Sequence, residues 1–227
     1  MKNLAAGLCA ALILAGCATP RIPPAPVPPS PPGWTAAQLD GMLWMSVPKR
    51  VRVKQSACFT FRGRTVPMAA MMELNGGQRR ARLVAVNELG IKLFDLEISD
   101  SALVEHFVLP ELARIPRFSE AVATSVRRLF LAPRPRVGDD RLDFVNGRYR
   151  MLGKRLSGEV EFFFGGDPPL LAETRMDGEG ERWQAVFRDY RMLGAGFWPY
   201  DVRLRDDRAG YLLELRILEA RGIDEPD

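Results

Sequence analysis

Residues 55–98 read QSACFTFRGRTVPMAAMMELNGGQRRARLVAVNELGIKLFDLEI, and the spacing of their apolar residues decides the fold. Between Gln55 and Arg64, Ala57, Phe59 and Phe61 fall on one face of a strand, and Cys58, Thr60 and Arg62 on the other. Met68, Ala70, Met72 and Leu74 continue the period of two, and Asn75-Gly76-Gly77 is a hairpin signal. Arg79 to Val86 gives a third strand, with Ala81, Leu83 and Ala85 opposite Arg80 and Arg82. The turn Asn87-Glu88-Leu89-Gly90 leads into a fourth, Ile91–Ile98. Connections this short join antiparallel neighbours, because a parallel crossover needs a dozen residues or more.

Outward from this meander the texture changes. Upstream, Thr35 to Met45 predicts a short helix capped by Thr35, with Leu39, Met42 and Leu43 on one face. Downstream, Ser119 caps a predicted helix to about Leu131, whose apolar face is Val122, Val126, Leu129 and Phe130; Pro133 and Pro135 end it. Residues 101–115 predict a shorter helix with Leu103, Val104 and Phe107 inward. Strands return at Arg141–Val145, Tyr149–Leu152, Gly158–Phe164, Leu170–Met176, Arg182–Tyr190, Tyr200–Arg205 and Leu212–Glu219. Four strands, helices, then more strands predict an α+β domain with one curved antiparallel sheet.

The N-terminus predicts export. Lys2 precedes an uncharged apolar stretch, Leu4 to Ala15, shorter than the roughly 20 residues of a spanning helix. Leu14-Ala15-Gly16-Cys17 resembles the lipobox of bacterial lipoproteins. That resemblance implies a signal peptide of residues 1–16 and a lipidated Cys17 at the start of the mature chain; an ordinary secretory signal is the rival reading. In bacteria with understood sorting, an aspartate after the cysteine retains lipoproteins at the inner membrane. Ala18 there implies the outer membrane, facing the periplasm. Residues 17–33 read as the anchor and a tether, since eight of the thirteen residues Pro20–Pro32 are proline. Extended polyproline at about 3.1 Å per residue would span on the order of 50 Å. Residues 34–227 are the folded domain.

Composition narrows function. The 227 residues carry a net charge of +4 with arginines scattered among acids, and no basic stripe with interleaved aromatics points to nucleic acid. Once Cys9 leaves with the signal and Cys17 is acylated, only Cys58 remains, which permits no disulfide within one mature chain and reads as a small hydrophobe. The single histidine, His106, excludes a zinc site of several His and Cys, and no cofactor is implied. No nucleophile–base pair is marked, so an enzyme is not expected. Arg127-Arg128 reads as a solvated helix face, or one that meets headgroups or an acidic partner.

In element order over roughly residues 35–219, the chain is similar to the LolA/LolB superfamily of lipoprotein carriers and receptors. It is most similar to the branch of outer-membrane receptors that are themselves lipoproteins (LolB), or to a group of uncharacterised LolB-like lipoproteins. The likeness is carried by the lipobox, the early helix, the Asn87-Glu88-Leu89-Gly90 turn, the central helical insertion, and Phe187-Arg188-Asp189-Tyr190 leading through a Pro199-containing loop to Val202-Arg203-Leu204. It implies an unclosed β-barrel covered by helices, an apolar cavity for acyl chains of a lipoprotein or other lipid, and exchange with a periplasmic carrier protein. It also implies that Leu89 projects from a membrane-contacting loop, although Glu88 replaces the family's proline.

Acyl chains call for a broad apolar lining, and flexible thioethers adapt to varied cargo. The expected lining is Phe59, Phe61, Met68, Met72, Leu83, Leu93, Val122, Val126, Leu129, Phe162 and Phe164; the expected membrane-contacting residues are Leu89, Phe197 and Trp198, because tryptophan suits the interface. Pattern alone does not separate a cavity wall from a filled core. A structural or interaction lipoprotein of the envelope with a filled cavity therefore stands beside the lipid-binding reading.

Overall fold

The structure, a computed structural model, describes residues 22–23, 26–44, 50–61, 64–131 and 134–223. The signal segment and Cys17 lie outside the described residues.

The strands are β1 (Arg50–Phe61), β2 (Arg64–Asn75), β3 (Arg80–Val86), β4 (Lys92–Ser99), β5 (Leu103–Val108), β6 (Arg141–Val145), β7 (Arg148–Arg155), β8 (Gly158–Gly165), β9 (Leu170–Asp177), β10 (Arg182–Leu193), β11 (Gly196–Asp206) and β12 (Tyr211–Gly222). They form one antiparallel sheet in the order β5-β4-β3-β2-β1-β12-β11-β10-β9-β8-β7-β6. Two meanders are thus stitched together where the last strand pairs with the first, Ala57 opposite Leu215. β5 and β6 are free edges, so the sheet curls without closing. Having reached β5 at one edge, the chain must cross to β6 at the other, and the crossing segment supplies the helices α2 (Pro110–Ala113) and α3 (Phe118–Val126) and a π-helical turn, Arg127–Leu131. This connectivity places helices over the concave face.

Period-two alternation sets that face. Val51, Val53, Gln55 and Ala57 of β1 are buried, as are Ala70, Met72 and Leu74 of β2 and Ala81, Leu83 and Ala85 of β3. α1 (Ala36–Gly41) begins at Thr35 with a capping box: Gln38 N–H donates to the Thr35 hydroxyl, and Gln38 Oε1 accepts from Thr35 N–H. Leu39, Leu43 and Trp44 are buried, and Trp44 sets its ring 4.6 Å from Phe187, so this segment fills the β10 side of the barrel.

Three expectations are corrected here. Residues 103–108 form the edge strand β5 rather than a helix, with Val104 and Phe107 exposed. The short β4–β5 connection and the run Leu-Val-Glu-His-Phe-Val, rich in branched and aromatic residues, favour a hairpin. Ser119 is buried inside α3 and does not cap it; the residue before the helix is Arg117, in the left-handed region at φ 60°. The proline-rich stretch does not stand free where it is described. Residues 22–23 and 26–31 run along the outer face of the sheet and round its end. Gln184 Nε2 donates to Ile22 O (3.0 Å), Arg188 to Pro23 O (2.8 Å), Gly166 N–H to Pro28 O (2.9 Å) and the Tyr149 hydroxyl to Pro31 O (2.7 Å). A proline segment brings carbonyls that accept and few N–H groups that need acceptors, so it can lie on polar side chains without orphaned donors. Gly147, at φ 71°, lets it turn the corner: a Cβ there would stand 2.8 Å from Pro29 Cβ.

Candidate functional site

Beneath α3 the sheet leaves a slot of about 60 Å³. Its floor comes from Gln55, Ala57 and Phe59 of β1, Met68 and Ala70 of β2, Leu83 of β3, Phe94 of β4, and Leu213 and Leu215 of β12. Its roof is Phe118, Ala121, Val122, Ser125, Val126, Leu129 and Phe130. Of these sixteen residues only Gln55 and Ser125 are polar. Small residues in the floor (Ala57, Ala70) and in the roof (Ala121) leave space among the larger lining side chains. The volume is well short of the roughly 300–1,000 Å³ of a typical ligand pocket. The slot is therefore closed down, and a long ligand requires α3 to lift.

What holds α3 is legible in its polar contacts. Arg127 donates through Nε to Ser99 O (2.6 Å) and through a terminal nitrogen to Ala102 O (2.8 Å), on the β4–β5 connection. Arg128 turns the other way, to Asp206 at the end of β11 (2.5 Å) and Glu181 before β10 (3.5 Å), with its guanidinium 5.2 Å above the Trp183 ring. These adjacent arginines pin the π-helical turn to opposite rims of the barrel, which corrects the expectation of a solvated face. Ser125 adds a third tie, to Tyr211. Burial raises the Tyr211 hydroxyl above the usual phenol range, against the nearby Arg128 guanidinium, which lowers it. All three ties lie in the second half of the helical segment; its Phe118 end is held by packing, with the Phe118 ring edge-on to Phe94 at 5.6 Å.

Of the expected lining, Phe59, Met68, Leu83, Val122, Val126 and Leu129 meet at the slot. The other five do not border it. Phe61 is half-buried against the core, and Met72, Phe162 and Phe164 are fully buried in it. Leu93 is buried, but the residue reaching the slot is its neighbour Phe94, on the concave face opposite Ala85. Leu89 is 84% exposed at the tip of its turn, held by the Asn87 carboxamide, which accepts from Leu89 and Ile91 N–H (both 2.9 Å). This brace orders the turn without a proline. Phe197 is half-buried, and Trp198 is a correction: it is 1% exposed and stacks on Phe130 at 6.3 Å. The alternation of β11 turns it inward with Tyr200, Val202 and Leu204. Cys58 points to the outer face, half-buried, and His106 stands at the surface 3.3 Å from Glu97. Sequence reasoning missed Gln55, although it shares the face of Ala57 and Phe59, two positions on from Val53. A glutamine at an inward position of an alternating strand is the signal that marked it.

A wider groove of about 470 Å³ on the outer face runs past Ser56, Cys58, Pro67 and Ala69, but its far wall is charged, with Arg203 paired to Glu214 at 3.3 Å. Among the described residues no helix is long and apolar enough to cross a membrane.

A twelve-stranded antiparallel sheet, curled but unclosed and roofed by helices on its concave side, is the LolA-like unclosed barrel fold. Among solved structures the chain is similar to a LolA superfamily protein from Nitrosomonas europaea, with a TM-score of 0.52 and 9% identity over 86% of this chain and 96% of that one. It is also similar to a putative outer membrane lipoprotein-sorting protein domain from Vibrio parahaemolyticus (TM-score 0.49, 6% identity, 78% and 87% covered) and a DUF1329 family protein from Desulfovibrio piger (TM-score 0.49, 8% identity, 81% and 89% covered). At 9% identity the first likeness shows the fold alone. No protein-family model and no curated protein matches the sequence.

Proposed function

We propose that this chain is a LolB-like envelope lipoprotein that takes an acyl chain, of a lipoprotein or another lipid, between its sheet and α3, without covalent chemistry. The observation that carries this reading is the slot itself: fourteen apolar residues from five strands and the helical crossover converge on a space the protein does not fill, under a roof whose polar ties lie at one end. The fold shared with a LolA superfamily protein supports it. Acylation of Cys17 would hold the protein on a membrane, the outer membrane where the host has one, because two or more acyl chains anchor stably. Five residue steps separate Cys17 from Ile22, the first described residue that touches the sheet, on the order of 17 Å fully extended. The domain would then sit close to the bilayer rather than at the end of a long stalk. Exposed Leu89 would meet the membrane or a periplasmic carrier.

Native mass spectrometry of the chain from Ala18, which keeps every residue of the described fold, tests this. A co-purifying lipid mass, or uptake of one from phosphatidylethanolamine vesicles, is the expected result. A ligand-free domain that takes up nothing would sink the proposal. The small volume of the slot favours a second reading, a structural lipoprotein whose interior stays shut; a stoichiometric protein partner with no lipid uptake would support it.

A further inference from the structure

We infer that the slot selects acyl chains carrying a neutral hydrogen-bond donor, an amide N–H or a hydroxyl, and that Gln55 is the residue that reads it. The inference rests on the acyl-binding reading above.

Gln55 is 3% exposed on the concave face of β1 and forms part of the slot floor. Its Oε1 is buried and finds no donor among the described residues. The slot's other polar side chain is already committed: Ser125 Oγ bonds Ala121 O and the Tyr211 hydroxyl. A buried acceptor without a partner forfeits its hydration and receives nothing in return, whereas leucine or methionine would fill the same place without that cost. Trp44 and Trp198 also bury indole N–H groups without partners, but neither borders the slot. Gln55 is thus the one lining residue with unmet hydrogen-bonding capacity, and that capacity is an acceptor.

The ligand must therefore donate. It must also be neutral where it meets Gln55, because no Arg, Lys or His lines the slot and an ionised carboxylate or phosphate would be buried without a counter-charge. An amide-linked acyl chain and a hydroxylated acyl chain both satisfy these conditions; a plain ester does not.

The test compares three probes on the chain from Ala18: methyl palmitate, N-methylpalmitamide and methyl 3-hydroxypalmitate, with affinities read by displacement of a fluorescent fatty acid. At least one donor-bearing probe is expected to bind about tenfold tighter than methyl palmitate, the size of one hydrogen bond to an otherwise unpaired group. Preference for the amide alone identifies an amide-linked chain, and preference for the hydroxyl alone a hydroxyacyl chain. Gln55→Leu is expected to erase the difference. Three equal affinities in the unsubstituted protein would overturn the inference and leave acyl binding standing, as they would if Gln55 merely holds a buried water. Failure of all three probes and of the fluorescent fatty acid to bind would remove the acyl-binding reading itself.

Discussion

Ser125 Oγ and the Tyr211 hydroxyl lie 2.8 Å apart, tying the C-terminal end of α3 to the first residue of β12. Because Ser125 spends its one proton on Ala121 O (2.9 Å), it accepts the proton of Tyr211. The bond is a latch on the roof of the slot.

Removing that latch should loosen the roof more than the fold. Ser125→Ala is expected to cost about 1 kcal/mol, the net worth of one hydrogen bond, while Tyr211 keeps its contact with Arg128. Urea denaturation reads the stability. Stopped-flow uptake of a fluorescent fatty acid should be faster in the variant, and an unchanged rate would show that α3 does not gate the slot.

The two arginine clamps should differ in strength. Arg128 and its partner Asp206 have side chains only 10% and 6% exposed, so Arg128→Ala removes the counter-charge of a buried carboxylate that keeps its bonds from the Arg208 and Ala209 amides, at a cost of about 3 kcal/mol. Arg127 bonds only backbone carbonyls near the surface, and Arg127→Ala is expected to cost about 1 kcal/mol. Urea midpoints of the two variants, measured side by side, check the order.

Tyr149 should control the proline strap. Its hydroxyl donates to Pro31 O and accepts from Trp34 N–H (3.0 Å), joining the strap to the start of α1. Tyr149→Phe removes both bonds with the ring retained, for a loss of about 1–2 kcal/mol. Hydrogen exchange at the Ser30 amide, bonded to Gly147 O at 2.7 Å, should quicken while the β1–β2 ladder stays protected.

Stability should fall at both ends of the pH scale. The Arg82 hydrogen bond holds Asp95 below the ordinary carboxylate range. Burial pushes Asp140 up, but Arg155 and the Arg136 amide outweigh it and leave Asp140 lowered. Lowered carboxylates contribute stability that is present above about pH 3.9 and lost as pH falls through their folded values. Burial raises Tyr190 and Tyr211, so their contribution is complete below about pH 10 and lost as pH climbs through their raised values. Thermal unfolding between pH 2 and 12 should show both shoulders, and Tyr211→Phe should weaken the alkaline one.

Leu89 should matter only to the membrane. At 84% exposure it holds up no core, and Leu89→Asp is expected to leave stability within about 0.5 kcal/mol. Co-sedimentation with vesicles should drop several-fold. Unchanged binding would remove the loop from the proposed mechanism.

The strands were readable because backbone pleating writes burial into a period of two. Met68, Ala70, Met72 and Leu74 announced the concave face of β2 from their spacing, and Asn75-Gly76-Gly77 its turn. Residues 103–108 were misread because a short apolar run carries either period, and the open edge of β4 decided in favour of a strand. Trp198 was misread because a tryptophan beside a proline looks like an exposed loop, yet Pro199 pairs with Tyr190 within the β10–β11 ladder and Trp198 turns inward.

From its sequence alone this protein specified an antiparallel sheet, a helical crossover, and the set of side chains kept from water. Which of those side chains face empty space was settled only in three dimensions. Met72 and Met68 share a strand and a face, but one is sealed in the core and the other borders the slot, depending on where α3 comes to rest. Periodicity records that a residue is turned away from solvent; whether a neighbour arrives to touch it depends on elements distant in the chain, as does the bed on which the proline strap lies.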